Sequence, residues 1–395
     1  MYTITIIGGG FAGIQAAKRA ARRMPEASIT LIDANPYATM VPALPDVLSG
    51  RFADDALVRP LDEVVGNRCA VVTDRVTSVD LDDRSVHGER GTYPYDSLVI
   101  AAGSEVAPAP WNTAALPAWT VASLGQADAL RAEIERRLGE QEQITVVIAG
   151  AGYTGLETAV ALREGVSRER CRIVVVDPAP GVLPMTNDAE RERLIAWIEK
   201  REVELKLETT VASVASDELT LSDGERISHP IAVWAGGMRA NGLTVTPEPT
   251  GRIRDGRLEM SDQLQLPDRP EVFVAGDVAA LSSNESILRR AVNFAFYSGR
   301  TAGENAARLL RGEKLRTFSP VDLGWIIPLS GESTGRLFGA IRVGGRLGTR
   351  LHYLMCGFRH FGARQAWQFY LTALNLKRRT RPLEARHPTG VSSVA

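Results

Sequence analysis

The stretch Ile4-Thr5-Ile6-Ile7-Gly8-Gly9-Gly10-Phe11-Ala12-Gly13 decides the reading of this chain. Its first four residues are apolar or β-branched and read as a buried strand. Gly8, Gly10 and Gly13 then follow the spacing G-x-G-x-x-G. In that pattern the first glycine makes a tight turn and the second lets a pyrophosphate approach the backbone, while the third lets the following helix pack close to the strand. The Ala-rich stretch through Arg23 reads as that helix, and Ser28–Asp33 as a second strand ending in a carboxylate. A carboxylate there accepts hydrogen bonds from ribose hydroxyls.

The same grammar returns further along. Ile144–Ala149 leads into Gly150-Ala151-Gly152-Tyr153-Thr154-Gly155, then a helix, then Arg172–Asp177. A single Gly-rich turn is a weak signal, but two units with strand, helix and acid in place predict two dinucleotide sites. The simplest chemistry that needs both is a flavin with a nicotinamide, because a flavin takes a hydride and releases the electrons later.

A chain of 395 residues predicts two or three domains. Its 44% hydrophobic and 24% charged residues are the mix of an ordinary globular protein. With 46 basic against 47 acidic residues, the charge balance gives no reason to expect a nucleic-acid partner. Cys69, Cys171 and Cys356 form no C-x-x-C pair, so neither a disulfide framework nor a metal site is expected. The N-terminus runs straight into a strand without a signal-peptide pattern, and no apolar run reaches spanning length, so the expected location is cytoplasmic.

Between the two units lie strand-like runs at Cys69–Val72, Arg75–Val79 and Ser97–Ile100, and a Pro- and Trp-containing crossing at Pro108–Trp119. After the second unit come strand-like Glu204–Leu207, Leu219–Leu221, Ile231–Ala235 and Glu271–Ala275. The last runs into Gly276-Asp277 and a helical pattern over Ile287–Leu310. From Phe318 the pattern becomes strand-like again. From Leu351 to Arg381 aromatic residues such as Tyr353, Phe358 and Trp367 mix with Arg359, Arg364 and Lys377. Such a segment suits an anionic membrane surface, a dimer face or an ordinary packed helix.

Several of these stretches together resemble the two-dinucleotide-binding-domain flavoproteins, in the branch of type II NADH dehydrogenases and apoptosis-inducing-factor-like oxidoreductases. They are the first fingerprint with Asp33, then Tyr37 with Val41-Pro42-Ala43-Leu44, then Tyr95–Ser104. The second fingerprint with Glu157, Ala232–Gly237 and Val272–Asp277 complete the set. The resemblance implies an α/β fold of two Rossmann-like domains, the NAD domain inserted in the FAD domain, plus a C-terminal α+β segment. The expected boundaries are 1–110 and 241–315 for FAD, 111–240 for NAD(H) and 316–395 for the C-terminal part. FAD would be held by Gly8, Gly10, Phe11, Ala12, Gly13, Asp33, Pro42, Val76, Ala102, Gly103, Gly276 and Asp277. NADH would be held by Gly150, Gly152, Tyr153, Thr154, Gly155, Glu157, Asp177 and Gly236. The Asp177 carboxylate would repel the extra phosphate of NADPH. Glu157 reads equally as a group near the nicotinamide and as a carboxylate favoured by the helix dipole.

Hydride transfer to a flavin needs alignment rather than an acid or base, so no catalytic residue beyond the candidate Glu157 is named. The family's disulfide reductases carry a cysteine pair that this chain lacks; Cys171 and Cys356 remain conceivable partners of the kind sulfide:quinone oxidoreductases use. In type II NADH dehydrogenases the helix after Gly-Asp begins with Ala-Gln and further glutamines. Here the stretch Arg290–Gly299 has none, leaving Asn293, Phe294 and Tyr297 as acceptor-site candidates or as core. The expected acceptor is a quinone or another small oxidant. The alternatives are a dedicated small molecule, a protein electron carrier, or a redox-sensing role, with a homodimer also open.

Overall fold

Strand Thr3–Ile7 is buried from Ile4 onward, as a β-branched strand covered on both faces of a parallel sheet must be. In the computed structural model, which describes residues 1–371 apart from 53–55, 112–115, 184–185, 216, 284–285, 330, 364–365 and 368–369, it lies near the middle of a six-stranded sheet. The spatial order is Gln265–Leu266, Arg269–Val274, Ser97–Ile100, Thr3–Ile7, Ser28–Asp33, Ala70–Thr73. Only the short Gln265–Leu266 strand runs antiparallel to its neighbour.

Helices Phe11–Arg23 and Val292–Leu310 cross on this sheet at very close range. A Cβ on Gly299 would lie 2.1 Å from the Ala12 carbonyl oxygen, and one on Gly303 would lie 2.2 Å from that of Ala16. The glycines in the second helix are therefore contact points for the first, which carries Ala12 and Ala16 buried there.

The second sheet runs Ala118–Trp119, Ile231–Trp234, Ile144–Ala149, Cys171–Asp177, Glu204–Leu207, all parallel. The chain passes from the first sheet to the second and back through Ser104–Val106 and Met238–Ala240, which pair antiparallel. The second α/β unit is thus inserted in the first. Beyond Val292–Leu310 come three antiparallel strands, Gly324–Leu329, Glu332–Leu337 and Ile341–Gly344, and the helix Gly345–His360.

Two boundaries differ from the sequence reading. The helix expected from Ile287 starts at Val292, because Ser286–Ile287 pairs with Ser282–Ser283 and Leu288 is held extended, its amide donating to Leu281 and its carbonyl accepting from Arg257. The segment read as a tail from Leu351 begins inside the helix Gly345–His360, its first ten residues completing that helix. Of the basic residues expected there, Arg364, Lys377, Arg378, Arg379 and Arg381 lie outside the described residues.

Candidate functional site

Gly8 sits at φ +101°, and a Cβ on it would come 2.3 Å from the Ala101 carbonyl oxygen. This close approach sets the fingerprint turn against Ala101-Ala102-Gly103. A Cβ on Gly13 would lie 1.7 Å from the Gly8 carbonyl oxygen, so the third glycine lets the helix seat on the turn. A Cβ on Gly10 would meet nothing within 4 Å, which leaves open ground at the helix start. Gly10 is the N-cap without any side-chain cap, so the first amides of the helix are available to an anion. Phe11 and Ala12 form its first turn.

Asp33 closes this turn from the next strand. Its Oδ2 accepts from the Gly9 amide at 2.6 Å and its Oδ1 from the Asn35 amide at 2.8 Å. A carboxylate has further lone pairs for a ribose hydroxyl. Gly276, at φ +74°, brings Asp277 alongside, since a Cβ there would stand 2.8 Å from that of Ala12. The Ser104 hydroxyl donates to Asp277 at 2.9 Å. Burial raises the pKa of Asp277, against the opposing pull of Ser104, Arg290 and Arg257. Ser104, Arg257 and Arg290 were missed as site residues by sequence reasoning, because they join Asp277 only through the fold. Pro42 stands in the first turn of the 3-10 helix Val41–Val47, whereas Val76 packs against the main core at the start of its own strand.

The second fingerprint repeats this geometry. Gly150 has φ +121° with its Cβ position 2.4 Å from the Ala235 carbonyl oxygen, and that of Gly155 is 1.8 Å from the Gly150 oxygen. The N-caps Gly10 and Gly152 have φ and ψ of −82° and −169° against −79° and −168°. Asp177 accepts from the Ala151 amide at 2.7 Å and the Ala179 amide at 2.8 Å. Tyr153 and the exposed Thr154 occupy the first turn, and Tyr153 meets Trp325 edge-on at 6.5 Å. A Cβ on Gly236 would strike the Trp234 ring.

Glu157 is partly buried on the first turns of this helix. Burial, and then the nearby Asp46, push its pKa well above the ordinary value. Among the described residues no hydrogen bond reaches its side chain. Of the acceptor candidates, Asn293 is buried with its amide donating to the Val321 carbonyl at 2.9 Å. Phe294 is buried under the Arg289 guanidinium, and Tyr297 remains partly exposed with its ring against Phe296. A groove of about 510 Å³ lined by Trp119, Thr120, Gln126 and Trp234 lies at the edge of the second sheet away from Asp177 and includes no fingerprint residue.

Cys69, Cys171 and Cys356 are all free and buried, each thiol pushed up to about 12. No group of three or more metal-ligating side chains occurs among the described residues.

Residues 2–299 match the family model described as pyridine nucleotide-disulphide oxidoreductase. The chain belongs to that family. It lacks the redox disulfide of the family's name, and its cofactors are FAD and NADH. A type II NADH:quinone oxidoreductase of Staphylococcus haemolyticus is 26% identical over 85% of this chain and 90% of that protein. An NADH dehydrogenase-like protein of Mycobacterium tuberculosis is 33% identical over 73% of this chain and 75% of that protein. The fold matches NDH2 of Plasmodium falciparum, solved with NADH, at a TM-score of 0.82 and 12% identity, covering 97% of this chain and 99% of that one.

Proposed function

We propose that this protein oxidises NADH at its FAD and passes the electrons to a quinone. The observation that carries the reading is the pair of near-identical fingerprints, each closed by its own aspartate, in a chain whose curated relatives are named for this reaction. Bound FAD supplies a ring that takes up a hydride and gives up its electrons afterwards.

The chain's residues do the binding and orienting. The helix starts at Gly10 and Gly152 hold the two pyrophosphates, and Asp33 and Asp177 hold the two adenosine riboses. Asp277, steadied by Ser104, holds a hydroxyl of the ribityl chain. Glu157, whose pKa is raised by burial and by Asp46, sets its carboxyl beside the nicotinamide end of the second site. Tyr297, the partly exposed member of its group, faces the acceptor side, with Asn293 and Phe294 fixing the helix beneath it.

The C-terminal segment supports peripheral attachment to a membrane. Phe338, Ile341, Leu347, Phe358 and Trp367 are exposed there among Arg342, Arg346 and Arg359. No described helix is long and apolar enough to cross a membrane. Steady-state turnover with NADH and a short-chain quinone, together with co-sedimentation on anionic vesicles, tests both parts. Turnover with ferricyanide but with no quinone would overturn the acceptor assignment and favour a protein electron carrier or a dedicated small molecule. Failure to sediment would overturn the membrane assignment.

A further inference from the structure

The last residue of the helix Gly345–His360 is an imidazole closed off from water, 1% exposed, beside the start of the first fingerprint helix. Its ring stacks on Phe11, with centroids 4.1 Å apart and planes 25° from parallel. Phe361 packs against the same ring at 4.7 Å, and the Gln15 side-chain amide donates to the Arg359 carbonyl at 2.9 Å. These contacts hold the end of the C-terminal helix against Phe11 and Gln15, neighbours one turn apart on the first fingerprint helix.

Stacking leaves the edge of the imidazole, and with it both ring nitrogens, turned away from the Phe11 face. Neither nitrogen closes a hydrogen bond of ordinary geometry among the described residues, although the Thr39 backbone lies near enough to favour a proton on the ring. A neutral imidazole carries one N–H and one lone pair, and burying either without a partner costs stability. The neighbourhood is short of acceptors and rich in donors. The first helical bond runs from the Ile14 amide to the Gly10 carbonyl, so the Phe11 and Ala12 amides are unclaimed by the helix, and Gly10 adds no side-chain cap. No acidic side chain stands in the first turn. The partly buried Lys18, two turns along the face of Phe11, lies in Coulombic reach of His360 and adds positive charge. An uncapped helix start, a cation and an orphaned N–H together suit an anion with several acceptor oxygens.

We propose that His360 is an FAD-binding residue: its ring N–H donates to the pyrophosphate held at the start of the helix Phe11–Arg23. The inference rests on the placement of FAD at the first fingerprint and adds to it a group from the far end of the chain. His360 lies beyond residues 2–299, which carry the family match, so the family pattern does not name it. Phe11 fixes the plane of the ring, and the bond from Gln15 to Arg359 fixes its height along the helix. The C-terminal segment thereby completes the pyrophosphate site, and bound FAD in turn ties that segment to the first sheet.

The test uses the FAD-loaded full-length protein with His360→Phe, which keeps a ring on Phe11 and removes the N–H, and His360→Gln, which restores a side-chain N–H donor. Phosphorus NMR reads the pyrophosphate of bound FAD, and the rise of free-flavin fluorescence on dilution reads FAD release. His360→Phe is expected to move a pyrophosphate resonance and to speed release about tenfold or more, the effect of losing one hydrogen bond to a charged group. His360→Gln recovers most of the wild-type release rate, which a role for the ring in packing alone would not allow. Gly10→Ala controls for the placement itself, since its methyl meets no protein atom within 4 Å and yet stands where the pyrophosphate approaches. Wild-type resonances and release in His360→Phe, with faster release in Gly10→Ala, would overturn the role of His360 and leave the ring satisfied by an ordered water. Equal losses in His360→Phe and His360→Gln would overturn it in favour of packing. Wild-type release in Gly10→Ala would overturn the placement of FAD at the first fingerprint instead.

Discussion

Asp33 and Asp177 do the same work in two copies of one turn: each accepts from the amide of the residue between the first two fingerprint glycines, at 2.6 and 2.7 Å, and from the amide two residues further on, at 2.8 Å in both. Each carboxylate therefore holds its own turn closed. Replacing Asp177 with serine is expected to raise the NADPH-to-NADH ratio of kcat/KM by about tenfold or more, through loss of charge repulsion. The same change lowers the melting temperature by a few degrees, since two amides lose a charged acceptor. Steady-state kinetics with both nucleotides and a thermal melt check the pair of effects.

Gly299 and Gly303 set how closely the second helix approaches the first fingerprint helix. Gly299→Ala drives a methyl against the Ala12 carbonyl and is expected to cost about 1–3 kcal/mol. Because Ala12 is in the first turn of the helix proposed to hold the FAD pyrophosphate, the variant is also expected to retain less FAD after gel filtration. Retention equal to wild type would separate the helix crossing from the cofactor site.

Two histidines, the buried His360 and the partly buried His352, are expected to make the fold acid-sensitive. His360, stacked on Phe11 at 4.1 Å, is held down to about 3, and His352 to about 4, both chiefly by burial. Their folded pKa values lie below the ordinary 6.5, so the unfolded chain binds more protons below that pH. Stability is full above about pH 6.5 and falls as pH drops, by about 1.4 kcal/mol per pH unit for each histidine once below it. Melts between pH 7.5 and 5 measure the slope, and His360→Phe should make it shallower.

The cysteines are expected to take no part in the chemistry. With every thiol pushed up to about 12, none forms a thiolate at neutral pH. Cys171→Ala and Cys356→Ala are each expected to keep quinone reduction within about twofold of wild type, after allowance for a small packing loss. A drop of a hundredfold in either would point to disulfide chemistry.

The fingerprints were legible in the sequence because their logic is largely local: strand, turn, helix and acid lie within one short stretch, and Gly13 and Gly155 each answer to the first glycine of their own turn. Asp46, Arg51 and Tyr353 escaped notice because their meeting depends on two segments far apart in the chain, and none of the three carries a motif. The start of the last FAD-domain helix was misplaced by five residues because the pattern over Ile287–Leu310 does not show that Leu288 is pinned in extended form by Arg257 and Leu281. Phe294 kept both of its readings in the sequence, and its burial beneath Arg289 emerged only with the fold.

The most direct test of NADH oxidation coupled to quinone is an anaerobic stopped-flow experiment on the purified yellow protein, mixed first with NADH or NADPH and then with a ubiquinone or menaquinone analogue. The expected result is rapid bleaching of the flavin by NADH, much slower bleaching by NADPH, and full return of the flavin absorbance on adding quinone. Bleaching by NADH followed by a flavin that stays reduced in excess quinone would contradict it.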